Sequence, residues 1–108
     1  MGGVQMRKII KGKIYDTEKA RLIAEYSNGL SFADFNHVYE DLYLTDAGQF
    51  FIHAQGGPMT KYSESSGNST WGVETIILLN NDQAYTWLEK YNKINEIETF
   101  FPQMIQEG

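Results

Sequence analysis

The chain has 108 residues, no cysteine, and a formal net charge of −5, from nine lysines and arginines against fourteen aspartates and glutamates. That length suits one domain spanning residues 1–108, and the lack of cysteine excludes disulfides, thiolate catalysis and Cys-ligated zinc. Two Trp, seven Tyr and six Phe, each ring burying roughly 150–250 Å², supply a core without cross-links.

Met1–Gln5 reads as a loose tail. Arg7–Ile10 and Lys13–Tyr15 flank Lys11-Gly12, which predicts two short strands joined by a tight turn. Asp16 or Thr17 then caps a predicted helix with Ala20, Ile23, Ala24 and Tyr26 as its apolar stripe. Asn28-Gly29 ends it. Leu30–Asn36 is ambiguous, with Phe32 and Phe35 spaced for one helical turn.

A hairpin follows. Val38–Leu44 and Phe50–Gln55 flank Asp46-Ala47-Gly48, a loop with glycine in the left-handed position. In the register that separates the faces cleanly, Glu40, Leu42, Leu44, Phe50, Ile52 and Ala54 share one side. Tyr39, Asp41, Tyr43, Phe51, His53 and Gln55 share the other. Gly56–Trp71 is polar and exceeds the roughly 12–15 residues usual for a loop, so it is either a packed turn or a binding loop. Gly72–Leu79 ends in Ile76-Ile77-Leu78-Leu79, which lacks alternation and predicts a strand buried on both faces. Asn80 and Gln83 form a capping box for a helix with Ala84, Trp87, Leu88 and Tyr91 on one stripe. A shorter helix carries Ile94, Ile97, Phe100 and Phe101, and Pro102 ends it. The expected architecture is α+β, a small antiparallel sheet with helices packed mainly on one face.

Charge is segregated along the chain. Residues 1–21 hold six basic and two acidic side chains, and residues 22–108 hold three basic and twelve acidic. No lysine or arginine lies between Arg21 and Lys61. A net-acidic chain is not expected to take nucleic acid as its primary partner; its basic segment Arg7–Arg21 reads first as a solvated face. No signal peptide is visible at the start, and no apolar run approaches the length of a membrane span. A cytoplasmic protein without membrane attachment, monomeric or homodimeric, is the expectation.

No catalytic signature stands out, and no cofactor or metal is implied. Asp41 opposite His53 reads first as a polar cross-strand pair. With His37 the two would make a metal site and a small metal-dependent enzyme, the least favoured reading. Tyr39, Tyr43 and Phe51 on the same face are either core or a protein-binding surface rimmed by acids. Lys61 and Tyr62 open the polar loop behind Gly56-Gly57, and no phosphate-binding loop motif occurs.

The segments KGKIYDTEKA, YSNG, DLYLTDAGQFFIHAQGG, KYSESSGNSTWG and LNNDQAYTWLEKY, spread over Lys8–Tyr91, resemble a family of short accessory proteins. That family is carried on conjugative elements, plasmids and phages of Firmicutes. Pro58-Met59 departs from the small residues expected after the paired glycines. The resemblance implies an anti-defence context, in which small acidic proteins act as inhibitors, some of them against CRISPR effector nucleases. The expectation is therefore a non-enzymatic inhibitor of a host defence protein. Its partner-binding residues would be Asp34, Tyr39, Glu40, Asp41, Tyr43, Asp46, His53, Lys61 and Tyr62. The alternative is a regulatory module of a conjugative element that binds its transfer proteins.

Overall fold

The computed structural model describes residues 5–106 and 108. The strands are β1 (Arg7–Ile10), β2 (Lys13–Asp16), β3 (Arg21–Ser27), β4 (Val38–Leu44), β5 (Phe50–Gly56), β6 (Ser63–Ser66) and β7 (Ser69–Leu79). Helices α1 (Asn81–Lys90) and α2 (Ile94–Phe100) follow, then a 3-10 turn over Pro102–Met104. β1 and β2 form a two-stranded sheet, and the other strands form a five-stranded sheet in the order β3-β4-β5-β7-β6. Every pairing is antiparallel, so the class is α+β.

The β1–β2 turn forms as predicted. Lys11 (φ 51°) and Gly12 (φ 82°) are both left-handed, the pair of conformations whose twist matches the flanking strands. The tail reading for Met1–Val4 lies outside the described residues. Gln5 is tied down, donating from Nε2 to Asp16 Oδ1 at 2.9 Å.

The predicted helix after Asp16 is not there. Asp16 caps a turn instead: its side chain accepts from Glu18 N–H, and its carbonyl accepts from Lys19 and Ala20. The chain then enters β3. Its register against β4 slips between Leu22 and Ala24, leaving Ile23 as the extra residue of a bulge. The bulge turns Ile23 and Ala24 into the same core cluster. Two consecutive inward residues break the period of two, and Ala20, Ile23 and Ala24 therefore mimic helical spacing.

β4 and β5 pair in the expected register, from Val38↔Gly56 to Leu44↔Phe50. The polar stretch after Gly57 is shorter as a loop than predicted. Ser63–Ser66 and Ser69–Gly72 zip together around left-handed Gly67 (φ 59°). This hairpin is largely exposed, so its sequence carries no apolar alternation to reveal it. The apolar end of β7 is not buried on both faces. Ile76 is buried, but Ile77 is 38% exposed.

Two cores flank the five-stranded sheet. On one side Leu42, Phe50, Ile52 and Ala54 join Ile23, Ala24 and Tyr62, together with Ala84, Trp87, Leu88, Ile97 and Phe101 from the C-terminal helices. On the other side Phe51 and Ile76 pack on Tyr15, with Met6, Ile10, Ala20, Tyr43 and Leu78 around them. The β1–β2 hairpin thus covers the Tyr43 and Phe51 end of that face, which is core there. The capping box at α1 is formed: Asn80 and Gln83 exchange side-chain-to-backbone hydrogen bonds of 2.8 Å each. Among the described residues no helix is long and apolar enough to cross a membrane.

Candidate partner-binding surface

The connection from β3 to β4 is a loop held by its own polar groups. Asn28 Nδ2 donates to Asn36 O at 2.8 Å, and Asn28 Oδ1 accepts from Val38 N at 3.1 Å. Asp34 Oδ1 accepts from Asn36 N at 2.8 Å, closing a turn. Tyr39 O–H donates to Leu30 O at 2.6 Å. The segment after β5 braces the loop from beneath: Gly57 N donates to His37 O at 3.0 Å, and Met59 N to Phe35 O at 2.9 Å. A Cβ at Gly57 would sit 2.5 Å from Phe35 O, so the close approach requires glycine.

The loop and the segment that braces it present large apolar side chains to solvent. Phe32, Phe35 and Met59 are 62%, 66% and 68% exposed. Phe32 stacks on Tyr39 (ring centroids 4.4 Å apart) and meets His37 edge-on at 5.4 Å. His37 is buried, and its Nδ1 donates to Asp34 O at 2.7 Å. Its Nε2 is buried with no hydrogen-bond partner among the described residues.

Beside the loop runs a cross-strand row of charge. Glu25 on β3 lies opposite Asp41 on β4, and Asp41 lies opposite His53 on β5. His53 turns its Nε2 toward Glu74 Oε2 at 2.6 Å, not toward Asp41. Burial, reinforced by Glu25 and opposed by His53, raises the Asp41 carboxyl to about 6. A carboxyl raised on folding is protonated more readily in the folded state than in the unfolded chain. Its ionisation therefore lowers stability as pH rises from about 4 through 6, and the loss is complete above that. Asp41→Asn should raise stability at pH 7 by about 2 kcal/mol and flatten the slope between pH 4 and 6. Urea melts at pH 4.5 and 7 measure both; an Asn variant less stable at pH 7 would contradict the assignment.

On the opposite face Glu40 is 2% exposed, so it does not join the surface carboxylates as expected. It accepts from Trp87 Nε1 at 2.7 Å and from the hydroxyl of Tyr62, with Tyr91 O–H at 3.4 Å. Lys61 Nζ caps it at 3.1 Å. Burial pushes this carboxyl up, but the bonds from Tyr62, Trp87 and Lys61 outweigh it and hold the group below its ordinary value. Tyr91 is pushed up to about 12 by burial and by Glu40.

The expected partner-binding residues thus separate into four places. Asp34, Tyr39, Asp41 and His53 lie on or beside the aromatic loop and the charge row. Glu40 and Tyr62 are buried together on the helix side, with the exposed Lys61 capping the carboxylate from the rim. Tyr43 stacks on Phe51 at 5.2 Å within the second core, and Asp46 is exposed in the β4–β5 turn. His37 does not assemble with His53 and Asp41: among the described residues no group of three or more His, Cys, Asp or Glu is placed to hold a metal ion. Sequence reasoning missed Phe32, Phe35 and Met59 as a unit. The signal was Asn28-Gly29, which begins a structured turn, and the bulky Pro58-Met59 beside paired glycines. No family model, no curated protein and no solved structure matches the chain.

Proposed function

We propose that this chain is a mobile-element accessory protein, a non-enzymatic inhibitor of a host nucleic-acid-processing defence system, foremost a CRISPR effector nuclease. The observation that carries the reading is the braced loop with Phe32, Phe35 and Met59 projecting beside the carboxylates Asp34, Asp41 and Glu25. Exposed aromatic anchors on a preorganised loop are what a protein interface uses as hot spots, because little side-chain and loop entropy is lost on docking. RNA-guided nucleases hold their heteroduplex in a positively charged channel. A carboxylate row beside apolar anchors complements such a channel, and the excess of acid in residues 22–108 favours the approach from long range.

The test is target-DNA cleavage by a purified CRISPR effector nuclease with and without this protein. Phe32→Ala with Phe35→Ala should weaken inhibition at least 10-fold, the effect of losing about 1.4 kcal/mol or more at a hot spot. Both rings are exposed, so the fold should survive. Reversing Asp34 and Asp41 to lysine should weaken inhibition further. Inhibition untouched by the reversal would remove phosphate mimicry, and no inhibition by the wild type would remove the reading itself.

A further inference from the structure

The β1–β2 hairpin is a two-stranded ribbon with one face seated and the other free. Tyr15 and Ile10 pack inward on the sheet. Ile9 and Ile14 are cross-strand partners on the outward face and are 68% and 63% exposed. Arg7 shares that face, and Lys11 and Lys13 stand at the turn. All six basic residues from Arg7 to Arg21 are exposed, whereas Asp16 is buried and bonded to Gln5 and to the backbone of Glu18. Lys8 reaches Thr75 and Arg21 lies over Phe100. Arg7 lies on the outward face, Lys11 at the turn, Lys13 is exposed at the ribbon's end on the side of Ile10, and Lys19 follows in the next turn beside the exposed Glu18.

Net charge alone argues against a polyanionic partner, but the ribbon Arg7–Asp16 carries four exposed basic side chains against the single buried carboxylate of Asp16. Charges separated by more than about 8–10 Å are largely screened from one another in physiological salt, so a partner at the ribbon meets chiefly the charges nearest to it. The ribbon therefore meets a partner as a basic object. A face-to-face dimer through the isoleucines would bring two such clusters together, so charge disfavours a second copy here. The major groove of B-form DNA admits a two-stranded ribbon, accepts lysine and arginine along its phosphates, and offers thymine methyls to apolar side chains. The major groove of A-form RNA is too deep and narrow to be read this way.

We infer that the β1–β2 hairpin is a duplex-DNA-binding ribbon, with Arg7, Lys11, Lys13 and Lys19 on phosphates and Ile9 and Ile14 facing the groove. This surface is built from other elements than the aromatic loop, and the inference holds whether or not the inhibitor reading does. The experiment is fluorescence anisotropy with a DNA duplex of about 20 base pairs, the same sequence as duplex RNA, and phosphatidylserine–phosphatidylcholine vesicles. With about four phosphate contacts, DNA affinity should fall about 100-fold between about 50 and 200 mM salt. Lys11→Glu with Lys13→Glu should weaken binding more than 10-fold and reduce the salt slope by about two. Both positions are exposed at the turn, and an unchanged urea midpoint confirms the fold. Ile9→Ser with Ile14→Ser should keep the slope and lose preference for thymine-rich duplex. Absence of DNA binding, equal binding of duplex RNA, binding to vesicles alone, or a charge-reversed variant that binds as well as wild type would each overturn the assignment.

Discussion

Trp87→Ala should destabilise the protein by about 3–5 kcal/mol, while Trp71→Ala costs at most about 1 kcal/mol. Trp87 sits on the buried stripe of α1 between Ala84 and Leu88, both wholly enclosed, and meets Tyr91 edge-on at 5.0 Å. Its removal opens a cavity in the larger core. It also strips one donor from the buried Glu40 carboxylate, a loss that adds to the cavity cost. Trp71 lies on β7 at 44% exposure, so little apolar area is returned to water there. Urea melts on the two variants give the comparison. A larger loss at Trp71 would move the core to the β6–β7 hairpin and contradict the packing described.

Where a sequence pattern reflects burial on one face, it was readable. The β4–β5 register follows from the alternation of Leu42, Ile52 and Ala54 with Asp41 and His53, because a slip by one residue would send charge into the core. The capping box and the stripe Ala84–Trp87–Leu88 are equally local, and α1 forms where they predict. β3 was not readable, because the bulge at Ile23 imposes a helix-like spacing on a strand, and β4 is needed to select the strand. β6 was not readable either: Ser63–Ser66 buries almost nothing, and its pairing is backbone hydrogen bonding that side-chain pattern does not encode. Of the candidate surface, Asp41 opposite His53 was legible from register alone. The outward placement of Phe32 and Phe35 was not. It depends on backbone bonds from the distant Gly57 and Met59, and aromatic residues at that spacing otherwise read as a core stripe.

Glu40→Leu should cost about 3–5 kcal/mol, although leucine matches the apolar neighbours of this position. The carboxylate is where three elements meet: Trp87 from α1 with Tyr91 just past its end, Tyr62 and Lys61 from the segment before β6, and β4 itself. Leucine would leave the Trp87 N–H and the Tyr62 O–H enclosed without an acceptor, and each such orphan costs about 1–3 kcal/mol. Glu40→Gln keeps an acceptor but loses the charge, and should cost less than leucine. The pH dependence separates this role from plain packing. Because the folded carboxyl is held below its ordinary value, its contribution is fully present above the usual carboxylate range and lost as pH falls through the folded value. Asp41, one residue on and facing the other way, has the opposite sign with its carboxyl raised to about 6. Stability contributed by this adjacent pair should therefore rise as pH drops from 7 toward 5, then fall in stronger acid. Glu40→Leu should reduce the acid-side fall to the share of Asp16, whose carboxyl is also held low, and keep the Asp41 slope; Asp41→Asn should remove that slope and keep the acid-side fall. If stability after Glu40→Leu still falls in acid as steeply as in wild type, the buried network is not the group being titrated.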